Sequence, residues 1–190
     1  PLNSNVSRQM PTLYDFIGTT YARYRRADPA IAQVLAQELH LTTVGAYLDL
    51  ACGTGNYTAA LSALGGAWSG IDVSEVMLAQ ARGKSSSIIW AQSSADSLPF
   101  PTATFDGAIC TLAIHHFPCL ESPFTEVRRT LRSGSFVIFT GLAEQMREYV
   151  TLCVLALHRD PALCLDRQRS HLWQAAANRP ADAAGRGACA

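Results

Sequence analysis

The stretch Leu48-Asp49-Leu50-Ala51-Cys52-Gly53-Thr54-Gly55-Asn56 decides the fold. Its apolar start predicts a strand over Ala46–Ala51, and its glycines predict a sharp turn. A helix over Tyr57–Leu64 follows, and Gly65 and Gly66 end it. Glycine is needed where a side chain would keep a ligand away from the backbone, and the start of a helix offers free N–H groups. An ordinary strand–helix turn that happens to hold two glycines stays an alternative at this point.

Strand and helix signals alternate along the chain on both sides of this turn. Further strands are predicted at Trp68–Val73, Ile88–Ala91, Phe105–Leu112 and Phe136–Phe139. Further helices are predicted after the caps Asp28-Pro29, Ser74 and Ser122-Pro123. The strands are continuous apolar runs, which is typical of a parallel sheet covered on both faces. We therefore expect an α/β fold, a Rossmann-like doubly wound and mostly parallel sheet with helices on both faces.

Composition limits the classes of function. The chain has 190 residues with 15 basic and 15 acidic side chains, enough for one domain with a sizeable core. A net charge of zero argues against nucleic-acid or membrane-surface binding, because both need a basic field. No apolar run reaches the length of a membrane span, and no signal peptide is visible. The six scattered cysteines lack C-x-x-C spacing, so we expect reduced thiols in a cytoplasmic protein and no metal site.

An acid at the end of the second strand gives the glycine turn more weight. Asp72 can accept both hydroxyl protons of a ribose at that place, although an acid near the helix cap Ser74 also stabilises the helix. The turn and the acid together favour an adenosine-containing ligand. A dinucleotide site would need a third glycine where Thr58 stands, so a nicotinamide-dependent oxidoreductase is a less favoured alternative. The absence of a Tyr-x-x-x-Lys pair also counts against it.

Several segments in the correct order resemble one enzyme family. Asp49, Ala51, Gly53 and Gly55 match motif I of the family, D-x-G/A-x-G-x-G. Other family motifs are matched by Ile71–Ser74 with Met77-Leu78 and Ala81, by Ser94–Phe100 with Phe105-Asp106, by Ile114–Phe117, and by Arg128–Phe139. From about Tyr14 to Thr140 the chain thus resembles class I S-adenosylmethionine-dependent methyltransferases, in the group that contains the ubiquinone/menaquinone-type enzymes. The resemblance implies methyl transfer to a small-molecule acceptor.

The resemblance also implies a site for S-adenosylmethionine at the strand ends. The residues it assigns to this cofactor are Asp49, Ala51, Gly53, Gly55, Asp72, Val73, Met77, Ser94, Ala95, Asp96, Thr111 and Leu112. In that assignment the glycine turn approaches the methionine and ribose, Asp49 meets the methionine amino group directly or through water, and Asp72 binds the ribose hydroxyls. Ser94 replaces the commoner Asp beside the adenine, and Ser133 and Ser135 replace the Pro and second Gly before the fifth strand.

Candidates for catalysis follow the fourth strand. His115 and His116 lie where a base could remove a proton from an acceptor. The alternative is one packed and one solvated loop histidine. Tyr14, Tyr21 and Arg26 could close the site from the N-terminal side, unless the arginines there are only a solvated charge run.

The ends of the chain complete the predicted organisation. We expect a lid segment over residues 1–27, the cofactor-binding domain over 28–145, and a helix with a poorly ordered, truncated or frame-shifted tail over 146–190. Leu142–His158 reads as one helix, and the last two strands of the family have no visible counterpart. The fifth strand would then be an exposed edge. A non-catalytic, incomplete fragment that binds S-adenosylmethionine is therefore the second hypothesis, while the acceptor and the oligomeric state cannot be inferred.

Overall fold

The computed structural model describes residues 26–141 and the strand over 150–156, the latter as backbone. The predictions for Tyr14, for Tyr21 and for the tail beyond Ala156 lie outside these residues. Within the described part, no helix is long and apolar enough to cross a membrane.

Helices and strands alternate as the sequence predicts, with ends shifted by one or two residues. The helices are α1 (Pro29–Glu38), α2 (Asn56–Ser62), α3 (Glu75–Arg82), a 3₁₀ turn (Ile114–His116) and α4 (Glu121–Thr130). The strands are β1 (Ala46–Leu50), β2 (Ala67–Asp72), β3 (Ile89–Gln92), β4 (Gly107–Thr111), β5 (Ser135–Gly141) and β6 (Val150–Ala156). The Asp28 side chain caps α1 by accepting from Ala30 N at 2.8 Å, and the Ser74 hydroxyl caps α3 by accepting from Met77 N at 3.3 Å.

The six strands form one sheet in the order β3-β2-β1-β4-β5-β6. The first five strands run parallel to one another, so the predicted doubly wound fold is confirmed. The chain order reverses direction between β1 and β4, which are neighbours in the sheet. At such a switch point the loops leave to opposite faces and open a crevice at the carboxyl ends of the strands.

Apolar side chains cover both faces of the sheet. One core cluster joins Leu48 and Phe136 of the strands to Val127 of α4. The other joins Tyr47 to Leu35 of α1 and Leu61 of α2. Alternate residues of each strand therefore contribute to different clusters, as the pleat requires.

A sixth strand corrects the prediction for the C-terminal part. β6 pairs antiparallel with β5 over its whole length, from Ser135 opposite Ala156 to Gly141 opposite Val150. The prediction of one helix over Leu142–His158 is therefore wrong for these residues, and β5 is not an edge strand. A short apolar run such as VTLCVLA does not distinguish a helix from a strand by periodicity. The unpaired N–H and C=O groups of β5 favour the strand, because pairing satisfies them.

The start of α4 also differs from the prediction. The helix begins at Glu121 after Leu120, which makes no side-chain cap, so Ser122 is not the capping residue. Pro123 falls in the first helical turn rather than at its first position. This is tolerated because the first four N–H groups of a helix have no intrahelical partner in any case.

Candidate cofactor and catalytic site

A cavity of about 520 Å³ lies at the carboxyl ends of β1, β2, β3 and β4. Ten of the twelve predicted cofactor residues line it, together with His116; these are Ala51, Gly53, Asp72, Val73, Met77, Ser94, Ala95, Asp96, Thr111 and Leu112. The volume suits a ligand of nucleoside size or larger. The structure thus brings together residues that are up to 65 positions apart in the chain, from Ala51 to His116.

The glycine turn and the acid of β2 touch each other in this cavity. Gly53 N donates to Asp72 Oδ2 at 2.8 Å, and Ser74 N donates to Asp72 Oδ1 at 2.9 Å. Asp72 therefore holds the turn after β1 and the turn after β2 with one carboxylate. Each carboxylate oxygen has a second lone pair, so Asp72 can still accept from hydroxyl groups of a ligand. Only 9 % of Asp72 is exposed, which strengthens such bonds.

Left-handed backbone shapes the turn itself. Ala51 has φ +55° and Gly53 has φ +55°. A Cβ built on Gly53 would have no atom within 4 Å, although the residue lines the cavity. The space beside Gly53 is therefore left for a ligand rather than filled by the protein. Ala51 is not glycine, so its conformation carries strain, which is common at binding sites.

Gly55 serves packing rather than the cavity. A Cβ there would lie 2.4 Å from Trp90 Cη2, and one on Gly70 would lie 2.5 Å from Trp90 Cζ3. The Trp90 ring thus occupies the space that both glycines leave. Gly55 is not among the residues that line the cavity, and its predicted approach to the cofactor stays a prediction.

Asp49 lies beneath the turn, fully buried and outside the cavity wall. The Thr58 hydroxyl donates to its Oδ2 at 2.5 Å, whereas Oδ1 has no partner among the described residues. Burial raises the pKa of Asp49 to about 7, the Thr58 bond opposes this, and the charge of Asp72 adds to it. The predicted contact of Asp49 with the methionine amino group, directly or through water, stays a prediction. The sequence carries no signal for this Thr58 bond, because a threonine at that position indicates only that the third glycine of a dinucleotide site is absent.

The residues after β2 and β3 form the opposite wall. Met77 is 1 % exposed, while Val73 is 47 % exposed and its carbonyl accepts from Gln92 Nε2 at 2.9 Å. The Ser94 hydroxyl donates to Asp96 Oδ2 at 3.0 Å. Ser94 therefore orients the neighbouring carboxylate, a role that the commoner Asp at this position could not take as a donor.

The β4 side of the cavity holds His116, and His115 lies beside it. Leu112 has φ +54°, and its N–H donates to Phe139 O at 2.6 Å. His116 lines the cavity and His115 does not, but their rings lie 4.0 Å apart between centroids. Burial and the neighbouring His115 both lower the pKa of His116. A neutral imidazole at neutral pH can accept a proton from a bound molecule.

Several lining residues were not assigned to the cofactor or to catalysis from the sequence. They are Arg26, Cys52, Thr54, Asn56, Tyr57, Ile71, Ser93, Ala113, Phe117, Pro118 and Pro123. Most of them lie within a few residues of a predicted strand end. Nearness to a strand end is therefore the sequence signal that identifies them as candidates. Arg26 is a predicted lid residue, and it lines the cavity. Among the described residues, no group of His, Cys, Asp or Glu side chains could hold a metal ion.

A family model for a methyltransferase domain matches residues 48–139. Among curated proteins, the chain is 35 % identical over 98 residues to a malonyl-[acyl-carrier protein] O-methyltransferase of Erwinia pyrifoliae, covering 51 % of this chain and 37 % of that protein. It is 35 % identical over 112 residues to a demethylmenaquinone methyltransferase of Symbiobacterium thermophilum, covering 54 % and 45 %. The chain thus spans less than half of each of these relatives.

A solved structure supports the same relationship. It is described as a methyltransferase from an antibiotic biosynthesis pathway of Anabaena variabilis. The TM-score is 0.59 at 34 % identity, and the match covers 61 % of this chain and 47 % of that one. The residues 48–139 of the family model contain the glycine turn and at least part of each of the five parallel strands. The family model, the curated relatives and the solved structure together support a class I S-adenosylmethionine-dependent methyltransferase domain over residues 48–139.

Proposed function

We propose that this chain binds S-adenosylmethionine in the cavity at the strand ends and transfers its methyl group to a small-molecule acceptor. The observation that carries the proposal is the shared crevice of Gly53 and Asp72, where a main-chain N–H and a carboxylate meet at 2.8 Å. When bound, S-adenosylmethionine would supply an electrophilic methyl group on a sulfonium. The protein has to align that group with an acceptor and keep water away.

The chain's own residues divide this work by position. Asp72 would accept hydrogen bonds from the ribose hydroxyls, and the open space at Gly53 would admit the ligand to the backbone. Val73 and Met77 would contact the adenine, with Ser94, Ala95 and Asp96 at its edge. Asp49, Gly55 and Thr58 would act from below the turn by fixing its shape. The negative charge of Asp72 also favours a cationic ligand.

The acceptor would enter on the β4 side. Leu112, Ala113, Phe117 and Pro118 form an apolar wall there, which suits a ring or a hydrocarbon. His116 is the candidate base in this region, and its lowered pKa keeps it neutral at neutral pH. The curated relatives are named for malonyl-[acyl-carrier protein] and for demethylmenaquinone, and the malonyl group or the quinone ring could fit beside an apolar wall with one basic group.

Calorimetric titration with S-adenosylhomocysteine tests the cofactor site. We expect a single site with micromolar affinity in a protein that melts cooperatively. A matched titration with NADH serves as the control, because Thr58 replaces the third glycine of a dinucleotide site. Saturable binding of NADH, with none of S-adenosylhomocysteine, would contradict the proposal and favour an oxidoreductase.

Transfer itself is measured with tritiated S-adenosylmethionine and the two acceptors named above. His116→Asn should lower the rate at least tenfold while leaving the affinity for S-adenosylhomocysteine unchanged. A second candidate function is non-catalytic binding, favoured by the short coverage of the relatives. Tight binding without transfer to either acceptor would favour that second function.

A further inference from the structure

The chain has one lysine, Lys84, among fifteen basic residues, and the other fourteen are arginines. Lys84 follows the end of α3, where its N–H donates to Ala81 O at 2.9 Å. Its side chain reaches across to the glycine turn. The ammonium group donates to Thr54 O and, at 2.5 Å, to Asn56 Oδ1. Thr54 and Asn56 both line the cavity, whereas Lys84 does not.

The turn is held from two sides by groups of opposite charge. Asp72 accepts from Gly53 N on one side, and Lys84 donates to the carbonyl of the next residue on the other. Gly53 and Gly55 have left-handed φ values of +55° and +70°. A turn with two glycines has many conformations available when it is free, so fixing it costs entropy.

We propose that Lys84 is a positioning residue that holds the glycine turn in its ligand-binding shape. It would act through Thr54 and Asn56 and would not touch the cofactor. A compact ammonium group with three donors can serve two acceptors that lie close together, whereas a planar guanidinium has its donors in a fixed fork. Thr54 is only 2 % exposed, so loss of Lys84 would leave its carbonyl with little access to water. The inference rests on the proposed function for the identity of the ligand.

Three variants separate this role from simple loss of charge. Lys84→Met removes both hydrogen bonds and leaves an unbranched side chain that is one atom shorter. Lys84→Arg keeps the charge and part of the donor set. Arg82→Met is the matched control, since it removes a positive charge two residues away in an exposed pair with Glu75. Such exposed pairs contribute little to stability.

Titration with S-adenosylhomocysteine measures the effect on binding, because this ligand lacks the sulfonium charge. We expect Lys84→Met to lower the affinity about fivefold, which corresponds to about 1 kcal/mol. Lys84→Arg should recover part of the loss, and Arg82→Met should bind as the wild type does. Equal affinity in the wild type and in Lys84→Met would overturn the inference, and so would a lowered melting temperature with unchanged affinity.

Amide hydrogen exchange in the ligand-free protein provides an independent measurement. The N–H groups of Gly53 and Gly55 donate to Asp72 Oδ2 and to Cys52 O, so their exchange reports the shape of the turn. We expect about fivefold faster exchange at both in Lys84→Met and no change in Arg82→Met. Unchanged exchange would overturn the inference even if no ligand bound. Faster exchange in a protein whose wild type does not bind S-adenosylhomocysteine would contradict the proposed function alone.

Discussion

Two residues other than glycine adopt left-handed backbone where adjacent central strands end, Ala51 after β1 and Leu112 after β4. The surroundings of the two differ. Polar bonds surround the turn after β1: Thr58 donates to Asp49, and Gly53 donates to Asp72. After β4 the cavity wall is mostly apolar, and its polar side chains are those of Thr111 and His116.

The difference indicates which side of the cavity would bind the cofactor and which side would bind the acceptor. The β1 side would bind a ligand of fixed chemistry, so its donors and acceptors come from a short stretch with fixed spacing. The β4 side would receive an acceptor that varies between relatives, and its apolar wall includes Leu112, Ala113, Phe117 and Pro118. Four experiments test or sharpen this contrast.

The largest effect is expected at Asp49. Its pKa is raised from 3.8 to about 7, so the folded state binds more protons than the unfolded state between those values. The contribution of this group to stability therefore falls as pH rises from about 4 to about 7. Asp49→Asn should remove this loss and be more stable than the wild type by up to about 4 kcal/mol at pH 8, with little difference at pH 4. Urea unfolding at both pH values measures it, and a pH-independent difference would contradict the raised pKa.

Substitution of Gly55 should mainly lower the stability of the protein, whereas substitution of Gly53 should mainly lower its affinity for the ligand. Gly55→Ala places a methyl group against Trp90 in a left-handed residue, so we expect a loss of about 2–4 kcal/mol in the free energy of unfolding. Gly53→Ala meets open space and should cost only about 1 kcal/mol, while it lowers the affinity for S-adenosylhomocysteine. Chemical denaturation and calorimetry on both variants provide the comparison. If both lost stability equally and bound equally well, the two glycines would have the same role.

Substitutions of Asp72 test the polar side of the cavity, next to the turn after β1. Asp72→Ala removes an acceptor that is 9 % exposed and should lower the affinity for S-adenosylhomocysteine more than tenfold, about 1.5–3 kcal/mol. Asp72→Asn serves as its isosteric companion. It can keep one of the two main-chain bonds, so its affinity should fall between those of Asp72→Ala and the wild type. Wild-type affinity in a folded Asp72→Ala protein would contradict the ribose assignment.

The smallest change in stability is expected when each of the two left-handed residues, Ala51 and Leu112, is replaced by glycine. Ala51→Gly relieves backbone strain and loses only a methyl group, so we expect a gain of about 0.5–1 kcal/mol in stability. Leu112→Gly relieves similar strain but removes a side chain that packs on the core, and the net result should be a loss. Thermal melting of both variants gives the sign. A loss in Ala51→Gly would mean that its φ value is not strained.

The fold could be predicted because its signals are local. Asp28 and Ser74 cap helices where their residue types predict it, and the apolar strands pair in parallel. The strand β6 was missed because the partner that decides its conformation, β5, is distant in sequence. The site was predicted where the family motifs fall on strand ends. Thr58 and Lys84 were missed because their contacts reach 9 and 30 residues along the chain, to Asp49 and Thr54, and no local pattern reports them.

The fluorescence of Trp90 should report on the conformation of the glycine turn. Its indole ring lies in the space left by Gly55 and Gly70, and its Nε1 donates to Ser85 O at 3.1 Å. Trp68 is 2 % exposed and stacks on Tyr47 at 5.2 Å, away from the turn. A shift of the turn would change the packing around the first indole and leave the second as it is. In a Trp173→Phe protein, which lacks the third tryptophan of the chain, the emission spectrum therefore contains both a reporter and an internal reference for movement at the candidate site.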